Sequence, residues 1–137
     1  MKKWFKYLLV LYLLFFSTGI AMAQYVTIGT GTSTTAFLMA TSSQDGKSQL
    51  IFSNTELTSA SPALNVGNTI YSIGWYVSSV GGQAMYGANI KITEGTSTVT
   101  VWSGSLAPNL AVGWNDIVLQ TPYVRQGTGN LTVEYCF

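Results

Sequence analysis

The chain has 137 residues, 47% of them hydrophobic and 8% charged, with no histidine, one cysteine and a formal net charge of +1. Those totals describe one small, weakly charged domain. They exclude histidine-based triads and the zinc sites that need an imidazole, since neither can be assembled from these residue types.

The first element is Met1 to Ala23, where Lys2, Lys3 and Lys6 precede an apolar run from Tyr7 to Phe16 and an Ala21-Met22-Ala23 ending. A basic start, a short apolar stretch and small residues before the cleavage point make a secretory signal peptide. Ser17, Thr18 and Gly19 cut the run short of the roughly 20 residues of a membrane span, which argues against an uncleaved anchor. Cleavage leaves Gln24 first, and Cys136 is too distant from that point for a lipoprotein. The expected location is secreted or cell surface, with no membrane span after cleavage.

Residues 24–137 then form a single module carrying Lys47, Lys91 and Arg125 against Asp45, Glu56, Glu94, Asp116 and Glu134. Three scattered cations cannot supply the basic stripe that phosphate contacts require, which sets nucleic acid aside, and an anionic membrane surface fails for the same reason. With one cysteine, no internal disulfide is available; Cys136 is expected as a buried thiol near a strand end.

Threonine, glycine and serine separate short apolar runs about ten residues apart, a pattern of half-buried strands punctuated by turns. The expected strands are Tyr25–Ile28, Thr34–Met39, Ser48–Phe52, Thr69–Val77, Ala88–Thr93, Thr98–Trp102, Trp114–Leu119 and Asn130–Cys136. In the fourth, Tyr71, Ile73, Trp75 and Val77 share one face and Ile70, Ser72, Gly74 and Tyr76 the other, with Trp75 the leading core residue. Ile90 and Ile92, Ile117 and Leu119, and Leu131, Val133 and Tyr135 repeat the inward pattern. Ser53-Asn54-Thr55-Glu56 has capping-box spacing and predicts one turn of helix before Leu57, giving Glu56 a structural task. Gly81-Gly82 and Gly127-Thr128-Gly129 read as turn centres that exploit positive φ. The fold class is therefore all-β, an antiparallel β-sandwich of about eight strands. The long crossover from Phe52 to Thr69 favours a jelly roll over a fibronectin-like Greek key.

The available chemistry is limited. Cys136 has no base partner, and a glycoside hydrolase would need two of the five isolated carboxylates to converge through the fold. Asp45-Gly46 and Asn115-Asp116 are conceivable corners of a calcium loop but read more simply as a turn and a strand edge. No catalytic residue, metal ligand or cofactor is assigned. What remains is contact chemistry by exposed aromatics, with Tyr76, Tyr86 and Trp102 as the ligand-contact candidates.

Several stretches also carry a likeness. They are Val26-Thr27-Ile28-Gly29-Thr30-Gly31-Thr32, Gly81-Gly82-Gln83-Ala84-Met85-Tyr86-Gly87 with Asn89-Ile90-Lys91-Ile92, Val101-Trp102-Ser103-Gly104, Gly113-Trp114-Asn115, Thr121-Pro122-Tyr123 and Asn130-Leu131-Thr132-Val133-Glu134-Tyr135-Cys136-Phe137. On these residues the chain resembles a β-sandwich module found near the N-termini of large secreted bacterial proteins, often with fibronectin-like repeats and a type IX secretion sorting domain. The resemblance implies an extracellular adhesion-like or accessory module and brings no site residues; with the signal peptide, the all-β pattern and the missing catalytic residue types, the expected function is non-catalytic contact with an extracellular protein or glycan. A structural spacer for a downstream domain, or a carbohydrate-binding or polysaccharide-active domain, are the alternatives. Such modules usually run past the Glu-x-Cys-Phe strand, so a truncated end with an unpaired sheet edge is the expectation at Phe137.

Overall fold

The structure is a computed structural model that describes residues 24–29, 46–79, 85–106 and 110–137. The expected signal peptide, the strand Thr34–Met39 and the Gly81-Gly82 turn lie outside those residues.

Six strands are present among the described residues: β1 (Lys47–Phe52), β2 (Thr69–Val77), β3 (Ala88–Glu94), β4 (Ser97–Gly104), β5 (Gly113–Val124) and β6 (Leu131–Cys136). They form two antiparallel sheets, one ordered β1-β6-β3-β4 and one pairing β2 with β5, so the chain is all-β. Of the eight expected strands, six form and the expectation of one at Tyr25–Ile28 is corrected. Tyr25–Ile28 is irregular backbone, and of its side chains Ile28 packs against the core.

Period-2 alternation places the core where the sequence indicates. Ile90, Ile92, Leu131, Val133 and Tyr135 are buried from the larger sheet, and Leu119 and Tyr123 meet them from the smaller. Trp75 packs half-buried against this cluster and sets its ring at 75° to Tyr135, 5.2 Å between centroids. An edge-to-face pair of this kind adds to the burial of two large rings.

Between β1 and β2 the chain crosses sheets through α1 (Asn54–Ala60) and a 3₁₀ turn (Pro62–Leu64). The capping box is formed in full: Ser53 N–H donates to Glu56 Oε2 (2.8 Å) and Glu56 N–H donates to Ser53 Oγ (3.2 Å). Those two bonds satisfy amide groups that a helix start would otherwise leave bare. Leu57 follows and is buried in the main core, which ties the helix to the sheets.

Two irregularities overturn simple alternation. On β5, Ser72 pairs with Val118 but Ile70 pairs with Tyr123, so two steps along β2 correspond to five along β5. Pro122 lies in that interval and has no N–H to give a ladder. Ile70 therefore turns toward the core while Tyr71, expected on the inward face, is exposed. On β4, Lys91 pairs with Thr100 and Ile90 with Trp102, leaving Val101 as an extra residue. This bulge puts Val101 and Trp102 consecutively against the core, which corrects the outward placement of Trp102.

A candidate ligand-contact face and groove

The outer face of the β2–β5 sheet is built by register. Tyr76 lies opposite Trp114, Gly74 opposite Asp116 and Ser72 opposite Val118, and directly opposed residues point to the same side. The inward partners Ile73 and Ile117 anchor this ribbon to the core and fix which face looks out. Tyr76 is 59% exposed and Trp114 63%, and their rings meet at 79° with centroids 6.0 Å apart. Nothing among the described residues covers either ring.

Gly74 makes room at the centre of the face. A Cβ there would collide with Asp116 Oδ1 and press on the Asn115 carbonyl, so the carboxylate lies down across the β2 backbone only because position 74 carries no side chain. Asn115 holds the adjoining loop: its Oδ1 accepts from Ala111 N–H (2.9 Å) and its Nδ2 donates to the Ala111 and Gly113 carbonyls (2.7 and 2.9 Å). These bonds commit Asn115 to the turn. They position Trp114, one residue earlier in the strand.

Beside this face runs a partly open groove of about 790 Å³. Gln24–Thr27, Ala63–Leu64, Gly67–Ser72, Gly74, Trp114 and Asp116 line it. No Lys or Arg is among its described lining residues. Its walls are mixed, with Tyr25, Tyr71 and Ile70 interspersed among Gln24, Thr27, Thr69 and Ser72.

Of the three aromatic candidates read from the sequence, Tyr76 and Tyr86 are exposed, Tyr86 at 76% in the turn before β3. Trp102 is half-buried and packs against both core clusters. Tyr76 stands next to the groove through Trp114; neither Tyr86 nor Trp102 lines it. Sequence reasoning missed Trp114 and Asp116, although the parity of β5 exposes them. If Ile117 and Leu119 point inward, positions 114, 116 and 118 point outward.

The remaining described carboxylates have structural partners. Glu94 is buried, accepting from Arg125 Nη2 (2.8 Å), Tyr123 Oη–H (3.1 Å) and Gln126 N–H (2.7 Å). Burial works against its charged form, but the Gln126, Arg125 and Tyr123 hydrogen bonds together hold its carboxyl below the ordinary range. Glu134 bridges Lys47 (2.6 Å) on β1 and Lys91 (3.7 Å) on β3 and accepts from Gln49 (2.7 Å). The Lys47 hydrogen bond, against some desolvation and helped by Gln49, pulls Glu134 down to about 2. Glu56 is held in the capping box. Asp45 lies outside the described residues. Among those described, no group of three or more His, Cys, Asp or Glu side chains is arranged to hold a metal ion.

No described helix is long and apolar enough to cross a membrane. Compared against protein families, curated proteins and solved structures, the chain matches none.

Proposed function

We propose that the chain is exported by its N-terminal signal peptide and works as a non-catalytic, adhesion-like interaction module at the cell surface or outside the cell. The observation that carries this reading is the Tyr76–Trp114 pair, two uncovered rings held together on the outer face of β2 and β5 beside a partly open groove. Aromatic residues concentrate contact area at little conformational cost, and a cluster of them on a fixed strand pair is a binding surface in prospect.

The fold reading that accompanies it is a β-sandwich of jelly-roll type. The strand order supports it: the first strand pairs with the last, and the chain changes sheet at every connection except the β3–β4 hairpin. Both sheets feed side chains into one core, as two facing sheets do. The likeness to N-terminal modules of large secreted bacterial proteins is consistent with that arrangement. Glu56, Glu94 and Glu134 are each tied to structural partners, and among the described residues Asp116 is the carboxylate that lines the groove.

The test uses the full chain produced with its leader. The exported protein is applied to immobilised extracellular-matrix proteins and polysaccharides beside a Tyr76→Ser/Trp114→Ser double variant of unchanged circular dichroism. Export followed by binding that the double variant loses supports the reading. Retention in the cytoplasm, absence of binding to every surface, or equal binding by the double variant overturns it.

A further inference from the structure

We propose that the groove beside β2 and β5 binds a neutral glycan strand, with Trp114 as the stacking platform and Asp116 as the acceptor for sugar hydroxyls. This rests on the interaction-module reading and names the ligand class of that site.

Spacing is the first argument. Trp114 and Asp116 are two residues apart on one face of β5, which sets them about 7 Å apart along the strand. That interval is comparable with one pyranose unit. The pair is also fixed on both sides: Tyr76 abuts the indole at 79°, and the missing side chain at Gly74 lets the carboxylate lie inside the groove. Tyr76 is accordingly a positioning residue for Trp114, and Gly74 one for Asp116.

Ligand chemistry is the second. A pyranose has a face of C–H groups, slightly positive, and a rim of hydroxyls. The negative face of an aromatic ring attracts the first, and a carboxylate, which accepts through two oxygens, attracts pairs of the second. Gln24, Thr27 and Ser72 add neutral hydrogen-bonding groups around the same groove. A protein-binding patch would instead show a contiguous apolar centre with a polar rim. Here polar residues (Gln24, Thr27, Asn68, Thr69, Ser72 and Asp116) line the same groove as Tyr25, Tyr71 and Trp114.

Charge narrows the class. Asp116 contributes a negative charge and none of the described lining residues contributes a positive one, so among them uronates, sulfated sugars and phosphate esters meet repulsion without a partner. The volume, about 790 Å³, falls within the range of small-ligand sites, and the groove is partly open to solvent rather than enclosed.

The experiment titrates the exported full chain with cellohexaose, mannohexaose and chitohexaose, and with a galacturonate hexamer as the anionic comparison, by calorimetry and tryptophan fluorescence. The expected result is binding of at least one neutral hexasaccharide with a change in tryptophan emission. Trp114→Ala and Asp116→Ala each weaken it at least tenfold, while Tyr86→Ala, outside the groove, leaves it unchanged. All variants should keep the parent melting temperature within a few degrees; Trp114→Phe, which restores a ring, should recover part of the affinity and separates loss of stacking from loss of fold. Binding of no neutral hexasaccharide, tighter binding of the galacturonate, or equal affinity in Trp114→Ala overturns the glycan assignment. Failure here together with protein binding that the Tyr76→Ser/Trp114→Ser variant loses would leave the interaction module standing with a different ligand. Failure of both would remove the module reading as well.

Discussion

Arg125 Nη2 lies 2.8 Å from Glu94 Oε1, and the two side chains are 0% and 2% exposed. The guanidinium also donates to the carbonyls of Leu64 (2.7 Å) and Gly127 (2.9 Å), so one cation joins the ends of β3 and β5 to the 3₁₀ turn and the loop before β6. Gly127 and Gly129 thus serve by bringing their carbonyls close to Arg125; neither adopts the positive φ expected of them. Removing one member of a buried ion pair strands the other charge in a low-dielectric interior, which costs about 3–5 kcal/mol. Arg125→Met should therefore destabilise the chain by that amount in urea unfolding, and the Glu94→Gln/Arg125→Met double variant by distinctly less. Equal losses in the single and double variants would show that Arg125 acts through its carbonyl contacts alone.

Acid should act on the same group and on Glu134. Both folded-state pKa values lie below the ordinary 4.5, and Glu134 falls to about 2. A carboxyl depressed on folding contributes stability that is present above its unfolded pKa and lost as pH falls through the folded one. The unfolding midpoint should thus be flat from neutrality to about pH 5 and decline between about pH 4.5 and 2. Glu134→Gln should make that decline shallower. An unchanged acid limb would remove Glu134 from the account; it is partly solvent-screened, so its share is the smaller.

At the alkaline end the sign reverses. Burial, and then the neighbouring Glu94 charge and hydrogen bond, push Tyr123 up to about 12, and burial raises Tyr135 as well. A phenol whose pKa is raised on folding favours the folded chain below the unfolded value near 10 and penalises it as pH rises beyond. Stability should fall above about pH 10, and ultraviolet titration should show two tyrosines that ionise only as the chain unfolds. Ionisation of every tyrosine before loss of circular dichroism would contradict this.

The bulge on β4 separates residues that sequence alone treats alike. Tyr86 and Trp102 both read as outward aromatics, yet the extra residue at Val101 turns Trp102 onto the core beneath Gly104, where a Cβ would approach Trp102 Cζ2 within 2.8 Å. Trp102→Ala should cost about 3 kcal/mol, in line with loss of a large core ring. Tyr86→Ala should stay within about 0.5 kcal/mol, as surface changes do. Similar losses for both, measured by denaturant unfolding, would mean that the bulge does not set their environments apart.

Local pattern explains what was legible and what was not. The strands Thr69–Val77 and Ala88–Glu94 are visible because β-branched and aromatic residues crowd the first and Ile90 and Ile92 recur at period 2 in the second, and the capping box at Ser53 because its two hydrogen bonds lie within four residues. The register breaks opposite Tyr71 and at Val101 depend on a partner strand, so period 2 read along one strand places both neighbourhoods on the wrong face. Arg125 and Glu94 are 31 residues apart and meet only after β3 and β5 have docked, which leaves no local signature. Trp114 and Asp116 were within reach of parity, but the groove they enter also needs Gln24–Thr27, a segment that forms no strand.

Cys136 gives a chemical check on the end of β6. It is half-buried, and its Sγ–H donates to Glu134 Oε1 at 3.3 Å. Burial, followed by that hydrogen bond and the Glu134 charge, raises the thiol above its ordinary value, while Lys91 and Lys47 offset part of the effect. Only the thiolate is a strong nucleophile, so a raised pKa and restricted access both slow its reaction. Iodoacetamide at pH 8 should alkylate the native chain at least tenfold more slowly than the urea-unfolded chain, a factor of ten being about 1.4 kcal/mol of protection. Glu134→Gln should raise the native rate and move its pH dependence downward. A native rate equal to the unfolded one would mean that the β1–β6 edge opens freely, and the two backbone bonds that close it, Gly46 N–H to Phe137 O (2.9 Å) and Phe137 N–H to Gly46 O (3.0 Å), would then be too weak to hold it.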